Sequence, residues 1–351
     1  MESKERPDGL VDVEKLNTAT ALALRMLKQL DRIMLGRSDL HRMVLVGILS
    51  RGHILLEGVP GVGKTMLVKA LGELMNLQFG RVQFTPDLMP GDILGTHILQ
   101  ENAGVRRMTF QPGPVFTNIL LADEINRASP KTQSALLEAM QEHCVTLLGE
   151  TRPLPNPFFV LASQNPIELE GTYPLPEAQL DRFLFKLRVN TVGVDVMKEI
   201  ISTRRRGEPP KPDCVITADE LGMLFDVMDK IFLPEPVSRY ISRVVAATHV
   251  TSPEATESVK NYISYGASPR AAIAIAEAAR GCAIFAARPS VGFEDVRAVI
   301  SAVLNHRLIL NYKAKFDQVD SFAIINDLMA SLDETELNLP KDVNISEARN
   351  A

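Results

Sequence analysis

The stretch Gly58-Val59-Pro60-Gly61-Val62-Gly63-Lys64-Thr65 decides the fold of this chain. It has the form G-x-x-x-x-G-K-[ST], and it lies between the apolar run His53 to Glu57 and a helical pattern that begins near Met66. Glycines at this spacing let backbone N–H groups curl around phosphate oxygens, Lys64 reaches the β- and γ-phosphates, and Thr65 is a ligand for Mg²⁺. The stretch therefore predicts a nucleotide-binding P-loop, with Met66 following it at the same site.

Outward from this loop, short apolar runs alternate with helical patterns between His53 and about Lys186. Alternation of this kind predicts an α/β fold with a parallel sheet and crossover helices. Two stretches, Thr96 to Phe110 and Cys144 to Leu154, are instead β-prone on both sides of turn residues, which predicts two inserted hairpins. Before the loop, apolar spacing from Val13 to Ser50 predicts two helices with a break near Gly36.

The character of the chain changes after about Val194, where helical patterns replace the alternation. Ser252-Pro253 and Ser268-Pro269 have the form of helix starts, with a capping hydroxyl before proline. We therefore expect a first domain over residues 1–192, a smaller all-helical domain over residues 193–312 that ends near Tyr312, and a partly flexible acidic segment over residues 313–351.

Composition narrows the class of protein. The 351 residues are 46% hydrophobic and 23% charged, which is typical of a soluble protein with two domains. The net charge of −5 argues against a dedicated nucleic-acid binder. Three isolated cysteines cannot build a disulfide framework or a CxxC motif, and the charged N-terminus lacks the apolar core of a signal peptide, so we expect a cytoplasmic protein without a membrane span.

Two further strands end in polar groups suited to nucleotide hydrolysis. The run Ile119 to Glu124 delivers Asp123, which is suited to hold Mg²⁺ through water, and Glu124, which is suited to activate the attacking water. Asn165 follows the next apolar run, where it either hydrogen-bonds the attacking water or simply forms a turn before proline. The sequence has no Asn-Lys-x-Asp element for guanine, so adenine is favoured.

Together these motifs resemble a known superfamily. They stand in the order and spacing of AAA+ ATPases: Gly58 to Thr65 (Walker A), Ile119 to Glu124 (Walker B), Asn165, Glu177 to Phe183, and Gly266 to Arg270. The phrases QFTPDLMPGDILG, DEINRASPKTQSALLEAMQE and GTYPLPEAQLDRF are similar to those of the MoxR family within it, and the resemblance covers about residues 20–312. It implies a P-loop AAA+ core with a five-stranded parallel sheet, followed by a helical lid.

The resemblance also implies roles for single residues. Asn165 matches sensor 1, Arg182 the arginine finger that reaches a neighbouring subunit's γ-phosphate, and Arg270 sensor 2, which reaches the phosphates of its own subunit. Judged without the resemblance, Arg182 beside Asp181 is more typical of a surface ion pair, and Arg270 is compatible with the exposed side of its helix. The motif match favours phosphate recognition for both, which suits a planar guanidinium. Leu35 and Gly36 match the adenine pocket or form a plain turn between helices. Arg127 contacts a neighbour's nucleotide or lies in a solvated loop.

The function implied is an ATP- and Mg²⁺-dependent chaperone. MoxR-like ATPases act as homo-oligomeric, usually hexameric, rings with a partner that carries a von Willebrand factor A domain, and they mature or activate client protein complexes. A DNA-translocating motor is the first alternative; it would need basic and aromatic side chains on the hairpins, where Arg106, Arg107, Phe110 and Arg152 are offset by Glu101 and Glu150. The ATPase subunit of a metal chelatase is the second alternative.

Overall fold

The computed structural model describes residues 11–102, 105–166, 172–204, 210–213 and 215–334. Its first part contains these strands: β1 (Ile54–Glu57), β2 (Phe79–Gln83), β3 (Gly95–Asn102), β4 (Val105–Pro112), β5 (Ile119–Asp123), β6 (Cys144–Leu147), β7 (Glu150–Pro153), β8 (Phe159–Gln164) and β9 (Phe185–Arg188). The helices between and before them are α1 (Val13–Ile33), α2 (Ser38–Leu49), α3 (Lys64–Met75), α4 (Pro90–Leu94), α5 (Pro130–Glu142) and α6 (Glu177–Leu180), with a short 3₁₀ turn at Ile125–Arg127.

Five of these strands form one parallel sheet in the order β2-β5-β8-β1-β9, which confirms the predicted architecture. Its central strands are apolar on both faces because helices cover both sides. On β1, Ile54 and Leu56 belong to one hydrophobic core and Leu55 to the other. The first core continues into α1, α2 and the C-terminal helices, so the two parts of the chain share buried surface.

The two predicted hairpins are present at the predicted positions. β3 pairs with β4 and β6 pairs with β7, both antiparallel and each separate from the main sheet. Leu148 and Gly149 form the turn of the second hairpin, and both have positive φ, at 52° and 81°. The inserts therefore project from the α/β core as small ribbons of their own.

After β9 the chain is mainly helical. The helices are α7 (Val194–Thr203), α8 (Ala218–Lys230), α9 (Glu235–Ala247), α10 (Glu257–Tyr262), α11 (Pro269–Phe285), α12 (Phe293–Leu304), α13 (Tyr312–Phe316) and α14 (Ser321–Ser331). A short antiparallel pair, β10 (Ile263–Tyr265) with β11 (Ile309–Leu310), corrects the expectation of a purely helical domain. None of the described helices combines the length and apolarity that crossing a bilayer requires.

Details of the helical region differ from the sequence-based expectation in two places. α11 does begin at Pro269 after Ser268, but Ser252-Pro253 starts a turn, and the next helix begins at Glu257 behind a Thr256 cap. Two helices also follow where we expected a loose segment, because Ile324, Ile325 and Leu328 of α14 are buried in the first hydrophobic core. Residues 335–351, the rest of the expected flexible segment, lie outside the described part.

Candidate nucleotide-binding site

The P-loop follows β1 and ends where α3 begins. Gly61 and Gly63 have φ values of 80° and 90°, a left-handed conformation that favours glycine. A side chain on Gly58 would come within 2.6 Å of the carbonyl oxygen of Val189, so this glycine is needed for close packing against the end of β9. The Lys64 Nζ donates to the Gly58 carbonyl at 2.5 Å. The lysine side chain thus folds back onto the first residue of the loop, and the first turn of α3 begins at the same lysine.

Thr65 and Met66 lie in that first turn, both half-buried. A helix N-terminus carries partial positive charge and unpaired N–H groups, so phosphate is favoured here. The Thr65 hydroxyl makes no hydrogen bond to another described residue, which leaves it available to a metal ion. Among the described residues no cluster of three histidine, cysteine or acidic side chains forms a ready-made metal cage. Mg²⁺ would therefore be held by Thr65 and Asp123 together with phosphate and water oxygens, as this ion prefers.

The turn between α1 and α2 lies against the P-loop. Arg37 donates to the Val62 carbonyl, and burial lowers the pKa of its guanidinium. Gly36 has φ of 77°, and a side chain there would come within 2.6 Å of Val196 on α7. Leu35 and Gly36 are thus placed between the P-loop and the first helix of the C-terminal region, a position compatible with a role in base binding.

The Asp123 carboxylate lies at the end of β5 with both oxygens occupied. Arg81 NH2 donates to Oδ2 at 2.8 Å, and the Ser163 hydroxyl donates to Oδ1 at 2.6 Å. Neither partner was expected from the sequence, since Arg81 and Ser163 look like ordinary strand residues. They meet Asp123 because β2 and β8 flank β5 in the sheet.

Glu124 follows in a left-handed conformation with φ of 57°, which is uncommon for glutamate. Its backbone N–H donates to the Ser163 hydroxyl at 2.9 Å. Its carboxylate oxygen Oε2 accepts from Gln83 at 2.7 Å and from Arg127 at 2.9 Å. Arg127 therefore pairs with the glutamate of its own chain, and Gln83, after Arg81 and Ser163, is a third site residue that the sequence did not predict.

Asn165 lies directly after β8, and its side chain is buried near the same edge of the sheet. The preceding Gln164 donates to Glu57 Oε1 at 2.7 Å, at the end of β1. Glu57 also pairs with Lys186 on β9, at 2.7 Å. The carboxyl ends of β1, β5 and β8 are therefore tied together around the P-loop, as expected for ligand sites in open parallel sheets.

Arg182 and Arg270 lie elsewhere. They line a cavity of about 270 Å³ together with His53, Met140, Gln141 and Asp181. His53 immediately precedes β1, and Leu184, two residues after Arg182, donates to its carbonyl at the start of the sheet. These arginines are therefore at the amino edge of the sheet, opposite the P-loop.

The separation between the two edges is set by strand length. β1 has four residues, and three rises of about 3.3 Å place its terminal Cα atoms about 10 Å apart. Arg182 NH1 donates to the Leu137 carbonyl at 2.8 Å, and Arg270 NH1 lies 3.9 Å from Asp181 Oδ2. The expectation that Arg270 reaches the phosphates of its own subunit finds no support in this arrangement, because the helix that carries it begins at the amino edge.

Known proteins resemble this chain along most of its length. A sequence model of the ATPase family associated with various cellular activities (AAA) matches residues 53–185, and one of the AAA lid domain matches residues 255–328. Chaperone MoxR1 of Mycobacterium tuberculosis is 44% identical over 314 residues, which are 90% of this chain and 82% of that protein. The uncharacterized protein YeaC of Bacillus subtilis is 41% identical, over 88% of this chain and 93% of that protein.

A more distant relative and a solved structure are also similar to this chain over most of its length. Protein MoxR of Paracoccus denitrificans is 29% identical, over 80% of this chain and 87% of that protein. A crystal structure from Cytophaga hutchinsonii, described provisionally as an ATPase, is 39% identical and superposes with a TM-score of 0.82, covering 91% of this chain and 97% of that one. The shared fold thus includes the core and the lid.

Proposed function

The chain belongs to the MoxR family of AAA+ ATPases, and on this premise we propose that it hydrolyses Mg²⁺-bound ATP at sites shared between neighbouring subunits of a ring. One observation carries the proposal. The groups suited to bind and activate ATP lie at the carboxyl edge of the sheet, whereas Arg182 and Arg270 lie at the amino edge, at the other end of β1. The chain alone offers these two arginines no phosphate.

The carboxyl edge supplies the first half of the site. Lys64 and the first turn of α3 bind the phosphates, and Thr65 with Asp123 would hold Mg²⁺, which neutralises phosphate charge. Glu124 accepts a proton from the water that attacks the γ-phosphorus, and Asn165 orients that water. Gln83 and Arg127 both donate to Oε2 of the Glu124 carboxylate, so one of the two oxygens of the base is occupied until those bonds open.

The amino edge supplies the second half, to a neighbour. Arg182 Nε is buried without a hydrogen-bond partner among the described residues, so this guanidinium has donor capacity left for an anion. Arg270 is more than half exposed beside it. We propose that both arginines reach the nucleotide of the next subunit, which revises the expected role of Arg270. A head-to-tail contact of this kind closes into a ring, and by family resemblance we propose a hexamer.

The work done by the ring is the remodelling of client protein complexes. Support comes from the relative named a chaperone, which is 44% identical to this chain, and from exposed apolar side chains on both hairpins. Leu99 and Met108 form a directly paired, exposed couple on β3 and β4, and Leu148 is 80% exposed at the turn after β6. A partner with a von Willebrand factor A domain is part of this proposal.

The hairpins are less suited to a DNA motor. Arg106 forms an ion pair with Glu101 at 3.0 Å, and Arg152 pairs with Glu150. Arg152 also stacks over the ring of Phe110, 4.0 Å from its centroid, so that ring is not free to stack on bases. Three of the four basic and aromatic groups that strand binding would use, Arg106, Phe110 and Arg152, are thus engaged within the chain.

Dilution tests the shared site. Specific ATPase activity, measured with Mg²⁺ and again with EDTA, is expected to fall as the protein is diluted until sedimentation shows monomers. Arg182→Ala should lower turnover by on the order of a thousandfold, as trans-acting arginines do in GTPases, while ATP still binds. Monomers that hydrolyse ATP at the full rate, with Arg182→Ala unimpaired, would refute the proposal.

A further inference from the structure

Arg307 is a buried arginine that belongs to the lid but points into the core. It lies just after α12, and its side chain is only 3% exposed. Its Nε donates to Asp181 Oδ1 at 2.7 Å. Burial lowers the pKa of the Arg307 guanidinium, and the Asp181 carboxylate raises it in turn by hydrogen bond and charge. A buried cation persists only when it is paired and its donors are used.

The remaining donors of Arg307 bind the backbone on both sides of the arginine finger. NH2 donates to the carbonyl oxygens of Asp181 at 3.1 Å and Phe183 at 2.7 Å. NH1 donates to the carbonyl of Leu184 at 3.1 Å and, within its own domain, to that of Val303 at 2.5 Å. The planar guanidinium therefore donates hydrogen bonds to the carbonyls of the residue before Arg182 and of the two residues after it.

Two neighbours of Arg307 extend this contact. Asn305 Nδ2 donates to the Lys186 carbonyl at 3.0 Å, and His306 Nε2 donates to the Phe183 carbonyl at 3.0 Å. Burial, followed by the charge of Arg307, holds the pKa of His306 well below its usual range, so the ring stays neutral with one N–H to donate. Residues 305–307 of the lid thus bind the core segment 181–186 through four of its backbone carbonyls.

The core holds the side chain of Arg182 by a single hydrogen bond. Arg182 NH1 donates to the Leu137 carbonyl of α5 at 2.8 Å, while its Nε has no partner among the described residues. The carboxylate of Asp181 accepts hydrogen bonds from two lid residues. Ser268 donates to Oδ2 at 3.1 Å, and Arg307 donates to Oδ1. The backbone around Arg182 is held from two sides. The N–H groups of Arg182, Phe183 and Leu184 donate to the core carbonyls of Gln179, Leu180 and His53. The carbonyls of Asp181, Phe183 and Leu184 accept from the lid through Arg307.

We propose that Arg307 is a positioning residue for the arginine finger: its fork fixes segment 181–184 to the lid, so that Arg182 and Arg270 move as one unit. This inference rests on the proposed trans-acting role of Arg182. Its consequence is that a rotation of the lid relative to the core pulls on the carbonyls of segment 181–184 and shifts the angle at which the finger enters the neighbour's site. Lid position would then regulate hydrolysis in the next subunit.

The test compares two lysine substitutions in the full-length protein. Arg307→Lys keeps the charge that pairs with Asp181 but loses the fork that binds three core carbonyls. Arg280→Lys is the matched control, since Arg280 is also a largely buried lid arginine that donates to a backbone carbonyl, that of Ile231 at 3.1 Å, without contacting segment 181–186. We expect Arg307→Lys to lower kcat at least tenfold with less than a twofold change in the Kd for ATP, and Arg280→Lys to change kcat less than twofold.

A double variant separates positioning from general damage. If Arg307 acts through Arg182, Arg307→Lys should change turnover less than twofold in an Arg182→Ala background, because the group it positions is already gone. If it merely supports the fold, its tenfold effect should persist in that background and would overturn the inference. Where Arg307→Lys fails to fold, Asp181→Asn weakens the same ion pair more gently and is measured in both backgrounds by the same criterion.

The outcomes for the inference and the proposed function are distinguishable. Full activity of the single variant Arg182→Ala would refute the shared active site itself. Loss of activity in Arg182→Ala together with wild-type kcat in Arg307→Lys would refute only the positioning role.

Discussion

The two edges of the central sheet hold their charged groups in different ways. At the carboxyl edge the acids are matched by nearby donors, as Asp123 is by Arg81 and Ser163, and Glu57 by Lys186. At the amino edge positive charge is in excess, because the single carboxylate of Asp181 faces both Arg270 and Arg307. We propose that the first edge binds and hydrolyses ATP and that the second receives an anion from outside the chain.

This difference in charge indicates which surface favours contact with a neighbouring subunit. A phosphate presented by a neighbour would supply the negative charge that the amino edge lacks, in a partly enclosed cavity where charge–charge attraction is stronger than in bulk water. Nucleotide binding and subunit contact would then stabilise each other. We therefore expect a substitution at the carboxyl edge to lower ATP hydrolysis in the subunit that carries it. A substitution at the amino edge should lower ATP hydrolysis in the neighbouring subunit.

The largest expected effect comes from the carboxyl edge. Glu124→Gln should leave ATP binding intact and slow hydrolysis about 10²- to 10⁴-fold, because an amide keeps the shape but accepts no proton. Lys64→Ala should instead weaken ATP binding by about 1.5 to 3 kcal/mol, through loss of charged hydrogen bonds to the phosphates. Calorimetric titration and steady-state assays check both, with the exposed Glu73→Gln as control. Wild-type turnover in Glu124→Gln would place the base elsewhere.

A smaller effect is expected at Ser163, whose hydroxyl donates to Asp123 and accepts from the N–H of Glu124. Ser163→Ala removes both bonds and releases the strained backbone of Glu124, so kcat should fall roughly tenfold, equivalent to about 1.4 kcal/mol. The control is Ser202→Ala, an exposed serine that only bonds its own helix. An unchanged kcat in Ser163→Ala would show that Glu124 keeps its position without this serine.

The last effect concerns stability at the amino edge and leaves catalysis at neutral pH unchanged. His53 is buried, accepts from the Val160 N–H and donates to the Met140 carbonyl, and burial lowers its pKa to about 4. Because the unfolded state binds a proton below about pH 6.5 and the folded state does not, stability should fall by about 2 kcal/mol between pH 7 and pH 5. Urea unfolding at several pH values measures this slope.

The control for that slope is His53→Gln, which keeps a donor and an acceptor but does not titrate. Its unfolding free energy should be lower at pH 7 and depend less on pH than that of the wild-type protein. An equal pH dependence in both proteins would assign the acid sensitivity to other groups, such as the buried His306.

Much of the fold and of the carboxyl edge could be predicted from the sequence because the signals are local. Gly58 to Thr65 specifies its own turn, and Asp123 and Glu124 follow directly on a buried apolar strand. Gln83 and Ser163 were not predicted, because the contacts of a polar side chain on a strand depend on which strand lies beside it. The sheet order β2-β5-β8 is a tertiary fact, and it is this order that brings both side chains to Glu124.

The amino edge was harder to predict because its contacts join distant parts of the chain. Family resemblance pointed to Arg182 and Arg270, but the placement of Arg270 depends on how the lid docks on the core. Nothing local marked Arg307, since an arginine after the end of a helix is usually a solvated residue. Only the packing of α12 against β9 buries it beside Asp181.

The most direct test of the shared site mixes two inactive proteins, Arg182→Ala and Glu124→Gln. Each lacks a different edge, so an interface that joins the intact carboxyl edge of one to the intact amino edge of the other has every group in place. The account predicts that the mixture regains ATPase activity well above either variant alone, with a maximum near equal proportions. A mixture that exchanges subunits, as shown by sedimentation of labelled protein, yet stays as inactive as its components would contradict it.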